Sequence, residues 1–419
     1  MTVVREQLDE RLFRTTAPNG LNVLTEHLPG LRSAAVGIWV RWASGHEGPE
    51  QMGVAHLLEH MVFKGTERRT AKELAQALEV RGGSLDAYTS RDHTSYQAHV
   101  LDQDLSLAAD ILTDLVRAPL IRPEDLELER NVVLEEIKGV EDTPDDLVFD
   151  LFAAHLWPEH PYGYSILGTP ETVARLTAAD VRSYHAAGYY PGNVVIAAAG
   201  NVDHDDLIED LIRLGWFEGS GFVAAKPPVA PAPAVRSRHH QVARDSAQTH
   251  IVFGTDTFES RDPRRYGMAV LTNVFGGGMS SRLFQRIRED LGLAYAISAF
   301  HQPYRSVGLV GIYVATQPGT AAAAKEAIQV ECARLAREGL TPEELAGGRQ
   351  QLKGQLMLAL ENPGSRVHRL AGFVLNDDRY RKPDEILAAI DRIEGDEVNQ
   401  LAREFFDPAR LAVVELGGE

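Results

Sequence analysis

The 419-residue sequence contains a single cysteine, Cys332, and no uninterrupted apolar run of membrane-spanning length. One cysteine excludes an intrachain disulfide framework and is typical of a reducing compartment. Cys332 lies in a helical pattern, and we expect it to be a core residue. The first residues, MTVVREQLDERLFR, alternate charged and apolar positions and lack the apolar segment of a secretory signal. These features predict a cytoplasmic protein without a membrane span.

Positive charge is also scarce, because 42 Lys and Arg face 60 Asp and Glu, which gives a formal net charge of −18. A surface that binds nucleic acid needs clustered Lys and Arg. No nucleic-acid partner is therefore expected. The hydrophobic fraction of 44% is ordinary for a globular protein.

The chain is longer than the size at which a single hydrophobic core usually stops growing, so two domains are expected. The proline-rich segment AAKPPVAPAPAVR is typical of an extended spacer. It predicts a linker over residues 226–236, between domains at 1–225 and 237–419. Each half starts with strand candidates, such as AAVGIWVRWA and QTHIVFGTD, and continues with helices and a further strand. This order predicts an α+β fold class of two similar domains, each an antiparallel-rich sheet covered by helices.

The segment GVAHLLEHMVFKGT, residues 53–66, predicts a helix with a buried apolar face, yet it contains His56, Glu59 and His60. Ionisable side chains on a buried face cost free energy unless they have a partner. His56 and His60, four residues apart, share one face of a helix, with Glu59 at its edge. Two imidazoles in this position can bind one metal ion beside the carboxylate, which is the H-x-x-E-H order of inverzincins. An ordinary helix with solvated histidines is the alternative that these five residues leave open.

A catalytic zinc site typically has three protein ligands, so a third must come from another segment. The predicted helix PEDLELERNVVLEEIKGV, which starts at Pro123, offers several carboxylates. The candidates are Glu124, Glu127, Glu129, Glu135 and Glu136. Helical spacing alone does not choose among them.

The segments GVAHLLEHMVFKGT, GGSLDAYTSRDHTSYQAHV and ERNVVLEEIKGVEDTPDD resemble the pitrilysin-type zinc metallopeptidases, peptidase family M16. The size and layout are similar to those of the mitochondrial processing peptidase and its small two-domain bacterial relatives. The resemblance continues through HPYGYSILGTPETV and SSRLFQRIREDLGLAY. It implies one Zn²⁺ per chain, with His56, His60 and Glu136 as the ligands. It further implies that Glu59 is the catalytic base and that Glu129 hydrogen-bonds a ligand histidine.

The resemblance also implies residues that contact the substrate. Arg288 and Tyr295 match a catalytic pair, in which the tyrosine hydroxyl can donate to a developing oxyanion. The strand containing Asp86, Ala87 and Tyr88 is implied to pair with the substrate backbone as an added edge strand. Asp86 stands where relatives commonly carry asparagine, so we assign it no side-chain hydrogen bond.

The sequence therefore predicts a zinc metalloendopeptidase or oligopeptidase of the processing-peptidase type, with unstructured peptides as substrates. Because the chain has only two such domains, the resemblance implies a homodimer in which Arg288 and Tyr295 act on the partner's site. Action within one chain is left open. The alternatives are a non-catalytic core or scaffold subunit of the same fold and a zinc hydrolase that is not a peptidase.

Overall fold

The computed structural model describes residues 3–218 and 239–418, so the predicted linker at 226–236 lies outside the described residues. The strands are β1 Val4–Asp9, β2 Leu12–Thr16, β3 Asn22–His27, β4 Ser33–Val40, β5 Ser84–Thr89, β6 Thr94–Leu101, β7 Val194–Gly200, β8 His239–Val242, β9 Thr249–Thr257, β10 Ala296–Pro303, β11 Gly308–Thr316 and β12 Ala412–Leu416. The α-helices are α1 Val54–Val62, α2 Ala71–Glu79, α3 Leu105–Arg117, α4 Pro123–Glu141, α5 Pro144–Leu156, α6 Pro170–Arg175, α7 Ala178–Gly188, α8 His204–Arg213, α9 Arg265–Gly276, α10 Ala321–Glu338, α11 Pro342–Ala359, α12 Pro363–Leu375, α13 Pro383–Asp391 and α14 Gly395–Phe405. A π-helical turn spans Phe284–Asp290.

The described residues form two compact units, and each unit is assembled from three stretches of the chain. The first takes its described residues from Met1–Ile137, Ser165–Pro228 and Leu358–Tyr380. The second takes its described residues from Lys138–Tyr164, Val229–Met357 and Arg381–Glu419. Helix α12 thus belongs to the first unit, although it follows most of the second in sequence, and helix α5 belongs to the second.

The first unit is built on a seven-stranded sheet in the order β1-β2-β3-β7-β4-β6-β5. Strands β3 and β7 are parallel, and the other neighbours are antiparallel. The central strands β4 and β7 are almost entirely buried, which explains their nearly continuous apolar sequences. Strand β5, with no partner on its outer side among the described strands, forms one edge of the sheet.

Helices cover both faces of the first sheet. Successive residues of a strand point to opposite faces, and Ile38 accordingly packs with Leu58 of α1 and Leu112 of α3. The next residue, Trp39, packs on the other face with Leu370 of α12. The face under α1 is the one that carries the candidate site described below.

The second unit repeats this arrangement on a five-stranded sheet in the order β10-β11-β9-β12-β8. Strands β8 and β12 are parallel and the remaining pairs antiparallel. One face packs against α9 and α14, with Phe253 in that core, and the other packs against Phe152 of α5. The predicted α+β class, with two similar sheets covered by helices, is confirmed.

Two predictions about single features can also be compared with the structure. Cys332 lies on α10 as a free, fully buried thiol in the second unit's core, as predicted. Within residues 3–218 and 239–418, no helix is both long and apolar enough to cross a membrane.

Candidate metal centre

Helix α1, which contains the H-x-x-E-H motif, begins at a sharply turned glycine. Gly53 has a φ of +90°, and a Cβ there would lie 2.6 Å from the carbonyl oxygen of Leu167. Only glycine tolerates both the left-handed backbone and this close approach. The turn fixes where α1 starts and therefore which residues of the motif face the sheet.

The buried carboxyl group of Glu47 holds this start in place. Its two oxygens accept hydrogen bonds from the amides of Gly53 and Ala55, at 2.9 and 2.8 Å. Free amides at a helix N-terminus need such acceptors. Burial raises the pKa of Glu47 to about 8, against the two amide hydrogen bonds, which lower it. Sequence reasoning missed Glu47, because a lone glutamate in a loop carries no recognisable pattern.

The structure brings His56, His60 and Glu136 together, at one point between α1 and α4. One possible ligand atom from each lies within 4.8 Å of the other two. The Nε2 atoms of His56 and His60 are 3.7 and 3.6 Å from Oε2 of Glu136. These separations are too long for hydrogen bonds. Four-coordinate zinc with bonds of about 2.0–2.1 Å places its ligand atoms about 3.3 Å apart, close to what is observed.

The donor atoms themselves fit a divalent cation. Oε2 of Glu136 is buried and has no hydrogen-bond partner among the described residues, an arrangement that costs free energy for a carboxylate oxygen. Burial, together with the neighbouring His60 ring, lowers the pKa of His56 to about 4. His56 is therefore a neutral imidazole at physiological pH, the form that binds metal.

Glu129, one of the alternative carboxylates on α4, occupies a different position. Its Oε2 lies 3.0 Å from Nδ1 of His60, and its Oε1 lies 2.5 Å from the ammonium group of Lys64. A carboxylate that accepts the Nδ1 proton of a histidine orients the ring and leaves Nε2 available for a metal. Nδ1 of His56, by contrast, has no partner within the described part of the chain. Lys64 lies four residues after His60, and the sequence pattern did not identify it.

The other glutamates on α4 are not in this group. Within the described residues, the converging set contains Glu136 but not Glu124, Glu127 or Glu135. Glu124 is an exposed side chain near Arg122, and Glu127 is paired with Arg130. Glu135, one position before Glu136 on α4, is thus outside the converging set.

Glu59 lies between the two histidines on α1 and is hydrogen-bonded to the end of strand β5. The hydroxyl of Thr89 donates to its Oε2 at 2.5 Å, and the Thr89 backbone also hydrogen-bonds it. Burial raises the pKa of Glu59, and the Thr89 hydrogen bonds and the His60 ring oppose this shift. Thr89 is a second residue that sequence reasoning missed, because a threonine at a strand end is ordinary.

The predicted substrate-contacting strand is the edge strand β5. Leu85 and Ala87 pack against the core under α1. Asp86 and Tyr88 point to the opposite face, where the Tyr88 hydroxyl lies 3.0 Å from Nε2 of His93. Asp86 is exposed.

Arg288 and Tyr295 belong to the second unit and lie next to each other there. Arg288 is on the π-helical turn, and its guanidinium lies 5.4 Å from the centre of the Tyr295 ring. Tyr295 is 74% exposed and directly precedes strand β10. π-helical turns are frequent at functional sites.

Comparisons with known proteins give the family. Residues 22–170 match the family model described as insulinase (peptidase family M16), and residues 175–352 match the model described as the peptidase M16 inactive domain. An uncharacterized zinc protease of Mycobacterium leprae (strain TN) is 40% identical over 406 residues, which cover 96% of this chain and 91% of the relative. An uncharacterized zinc protease of Bacillus subtilis (strain 168) is 38% identical over 406 residues, which cover 97% of this chain and 98% of the relative.

Solved structures share the fold. The peptidase M16 inactive domain from Pseudomonas fluorescens superimposes with a TM-score of 0.89 at 19% identity, covering 100% of this chain and 99% of the other. A protease from Helicobacter pylori superimposes with a TM-score of 0.88 at 20% identity, covering 96% of this chain and 98% of the other. The resemblance inferred from the motifs is thus confirmed over nearly the whole sequence, and the chain belongs to peptidase family M16.

Proposed function

We propose that the protein is a zinc-dependent endopeptidase or oligopeptidase that hydrolyses peptide bonds of unstructured peptides. In this proposal His56, His60 and Glu136 hold one zinc ion per chain, and Glu59 is the catalytic base. The names of the curated relatives, which describe zinc proteases, support the activity and the metal.

One observation carries the proposal: three ligand atoms converge at the spacing of a zinc site, while a fourth polar group lies on the same turn of helix. A scaffold would need no such convergence. Two imidazoles and one carboxylate match the donor set of catalytic zinc, which leaves a coordination position open for water or substrate.

The metal and the protein side chains would contribute different parts of the chemistry. When bound, zinc supplies an electrophile that acidifies water and polarises a carbonyl oxygen. Glu59 takes a proton from the attacking water and delivers it to the leaving amine, so that it acts first as general base and then as general acid. Its raised pKa brings proton uptake closer to neutral pH, where a general base is most effective.

Arg288 and Tyr295 complete the proposed machinery by binding the substrate carbonyl and the developing oxyanion. Their adjacency and the exposure of Tyr295 support a role in contacting a ligand. We propose that the protein works as a homodimer in which this pair acts on the partner's site. The edge strand β5, with Asp86, Ala87 and Tyr88, is the proposed docking strand for the peptide backbone.

Zinc content and cleavage of a quenched, unstructured peptide test the proposal together. The wild-type chain is expected to hold one zinc and to lose cleavage with a chelator. Glu59→Gln should keep the zinc and lose cleavage by a factor of about 10²–10⁴, the usual contribution of general acid–base catalysis. Glu136→Gln should lose the zinc, whereas Glu124→Gln, a matched exposed carboxylate on the same helix, should keep both zinc and activity.

These experiments separate a peptidase from the two alternatives. A zinc-loaded wild type that cleaves no peptide indicates a scaffold or a hydrolase of another class. Substantial cleavage by Glu59→Gln would refute the role of Glu59 alone.

Mixing two inactive variants tests whether the protein is a homodimer and whether Arg288 and Tyr295 act on the partner's site. Glu59→Gln lacks the base, and a chain with Arg288→Ala and Tyr295→Phe lacks the pair. If the pair acts on the partner's site, a mixed dimer contains one complete site, and mixing should restore activity. No restoration, or sedimentation of the active protein as a monomer, contradicts the shared site.

A further inference from the structure

The hydroxyl that holds Glu59 is supplied by the edge strand and not by a helix. Thr89 is the last residue of β5, and its side chain follows Leu85 and Ala87 on the face that packs under α1. Contact between α1 and β5 therefore brings a strand end to the middle of the H-x-x-E-H motif. The 2.5 Å hydroxyl bond and the backbone bond both go to the same carboxylate.

Glu59 needs such support because a glutamate side chain is flexible. Three side-chain torsions separate its carboxylate from the backbone, and ordering such a side chain costs about 1.5–2 kcal/mol. A base must be held within a fraction of an ångström of its working position for efficient catalysis. A hydrogen bond to a charged acceptor is among the stronger ones that a neutral hydroxyl can make.

We propose that Thr89 is a positioning residue that orients Glu59 for catalysis, an inference that rests on the proposed peptidase function. The same strand has its outer side unpaired among the described residues and is the proposed docking strand for the peptide.

Replacement of Thr89 by valine and by serine tests this proposal. Valine keeps the shape, the strand preference and the backbone bond to Glu59 but removes the hydroxyl, while serine restores it. The matched control is Ser90→Ala, because the Ser90 hydroxyl is next in sequence yet donates to the carbonyl of His93. The readouts are kcat and KM on the quenched peptide, zinc affinity by chelator competition, and crystal structures of the valine and serine variants.

For Thr89→Val we expect kcat to fall roughly tenfold to a hundredfold, the effect of losing a hydrogen bond to a charged group. KM and zinc affinity should stay within about twofold of wild type, because binding and metal ligation are not touched. Thr89→Ser should recover most of kcat, and Ser90→Ala should match the wild type. In crystals of Thr89→Val the Glu59 carboxylate should turn away from its wild-type direction.

Three results would overturn the proposal. The first is a Thr89→Val kcat within about twofold of wild type. The second is a loss that appears equally in zinc affinity, which indicates a structural role. The third is an unchanged Glu59 orientation in the valine variant. If the zinc-loaded wild type cleaves nothing, the proposed function fails, and the crystal comparison still decides whether Thr89 orients Glu59.

Discussion

The contact between Glu129 and His60 gives a quantitative prediction for zinc affinity. Glu129 is 6% exposed, and its carboxylate accepts from His60 on one side and from Lys64 on the other. Glu129→Gln keeps an acceptor of similar shape but removes the negative charge beside the His60 ring. Loss of such a supporting carboxylate typically lowers metal affinity about 10–100-fold, or about 1.4–2.7 kcal/mol. We expect the upper part of this range, because burial leaves the interaction poorly screened.

Lys64→Met should lower the stability of the protein without lowering its zinc affinity. The variant leaves the Glu129 charge buried without its cation, which should lower the free energy of unfolding of the metal-free protein by about 1–3 kcal/mol. This loss is smaller than for a fully buried ion pair, because the Lys64 side chain is 34% exposed. Zinc affinity should be unchanged or higher, because a positive charge near the cation has been removed.

Chelator competition measures the zinc affinities, and urea unfolding of the metal-free proteins measures stability. A matched control exists in the second unit, where Lys325 lies 2.5 Å from Glu415, whose side chain is 5% exposed. Glu415→Gln breaks a similar pair with no ligand histidine beside it, so it should lower stability and leave zinc affinity unchanged. The reasoning is refuted if Glu129→Gln binds zinc as tightly as wild type, or if Lys64→Met loses as much affinity as Glu129→Gln.

Three further predictions concern stability. Burial lowers the pKa of His204 from 6.5 to about 4. The stability that depends on its neutral form is therefore complete above about pH 6.5 and is lost as the pH falls through 4. His204→Gln should remove about 2 kcal/mol of this pH dependence, which urea unfolding at several pH values would measure. Glu47→Ala, which removes the acceptor for two amides at the start of α1, should lower the free energy of unfolding by about 1–2 kcal/mol, whereas Glu47→Gln should lose less because it keeps one acceptor oxygen. A fragment of residues 1–225 lacks α12 and should aggregate alone but purify as a soluble complex when co-expressed with residues 237–419, as size-exclusion chromatography would reveal.

The helix at the H-x-x-E-H motif, and the position of its two histidines on one face, could be predicted from the sequence because both depend on local spacing. The four-residue spacing of His56 and His60 places the rings on one face of any helix, whatever the fold. The strands of both sheets were also visible from their apolar and β-branched residues. The fold class and the first two candidate ligands are therefore properties of short segments.

The third candidate ligand could not be chosen from spacing, because it depends on how two helices meet. Glu129 and Glu136 lie seven residues apart on the same flank of α4 and are chemically identical in sequence. The rotation and height of α4 against α1 send one to Nδ1 of His60 and the other to Nε2. The resemblance to a family supplied this tertiary information, which the residues themselves did not contain.

The placement of α5 and α12 in the opposite unit from their sequence neighbours could not be predicted for a related reason. Both helices present apolar faces, which show that they are buried but not against what. Phe152 of α5 packs with Val252 and Val414, and Leu370 of α12 packs with Trp39. An amphipathic pattern specifies a contact with some core, and only the three-dimensional fold specifies which one.

Five strands of the first sheet, in the order β3-β7-β4-β6-β5, correspond to the second sheet in the order β8-β12-β9-β11-β10. The helix that follows the central strand differs between the two units. In the first unit that helix is α1, with three ionisable side chains that need a partner. In the second it is α9, whose buried positions include Met268, Leu271 and Phe275, and such a helix is stable without any ion. Within the described residues, a converging set of three side chains that could hold a metal ion occurs in the first unit alone. A cation bound there would stabilise the folded first unit by mass action, so metal binding and the stability of α1 would be linked.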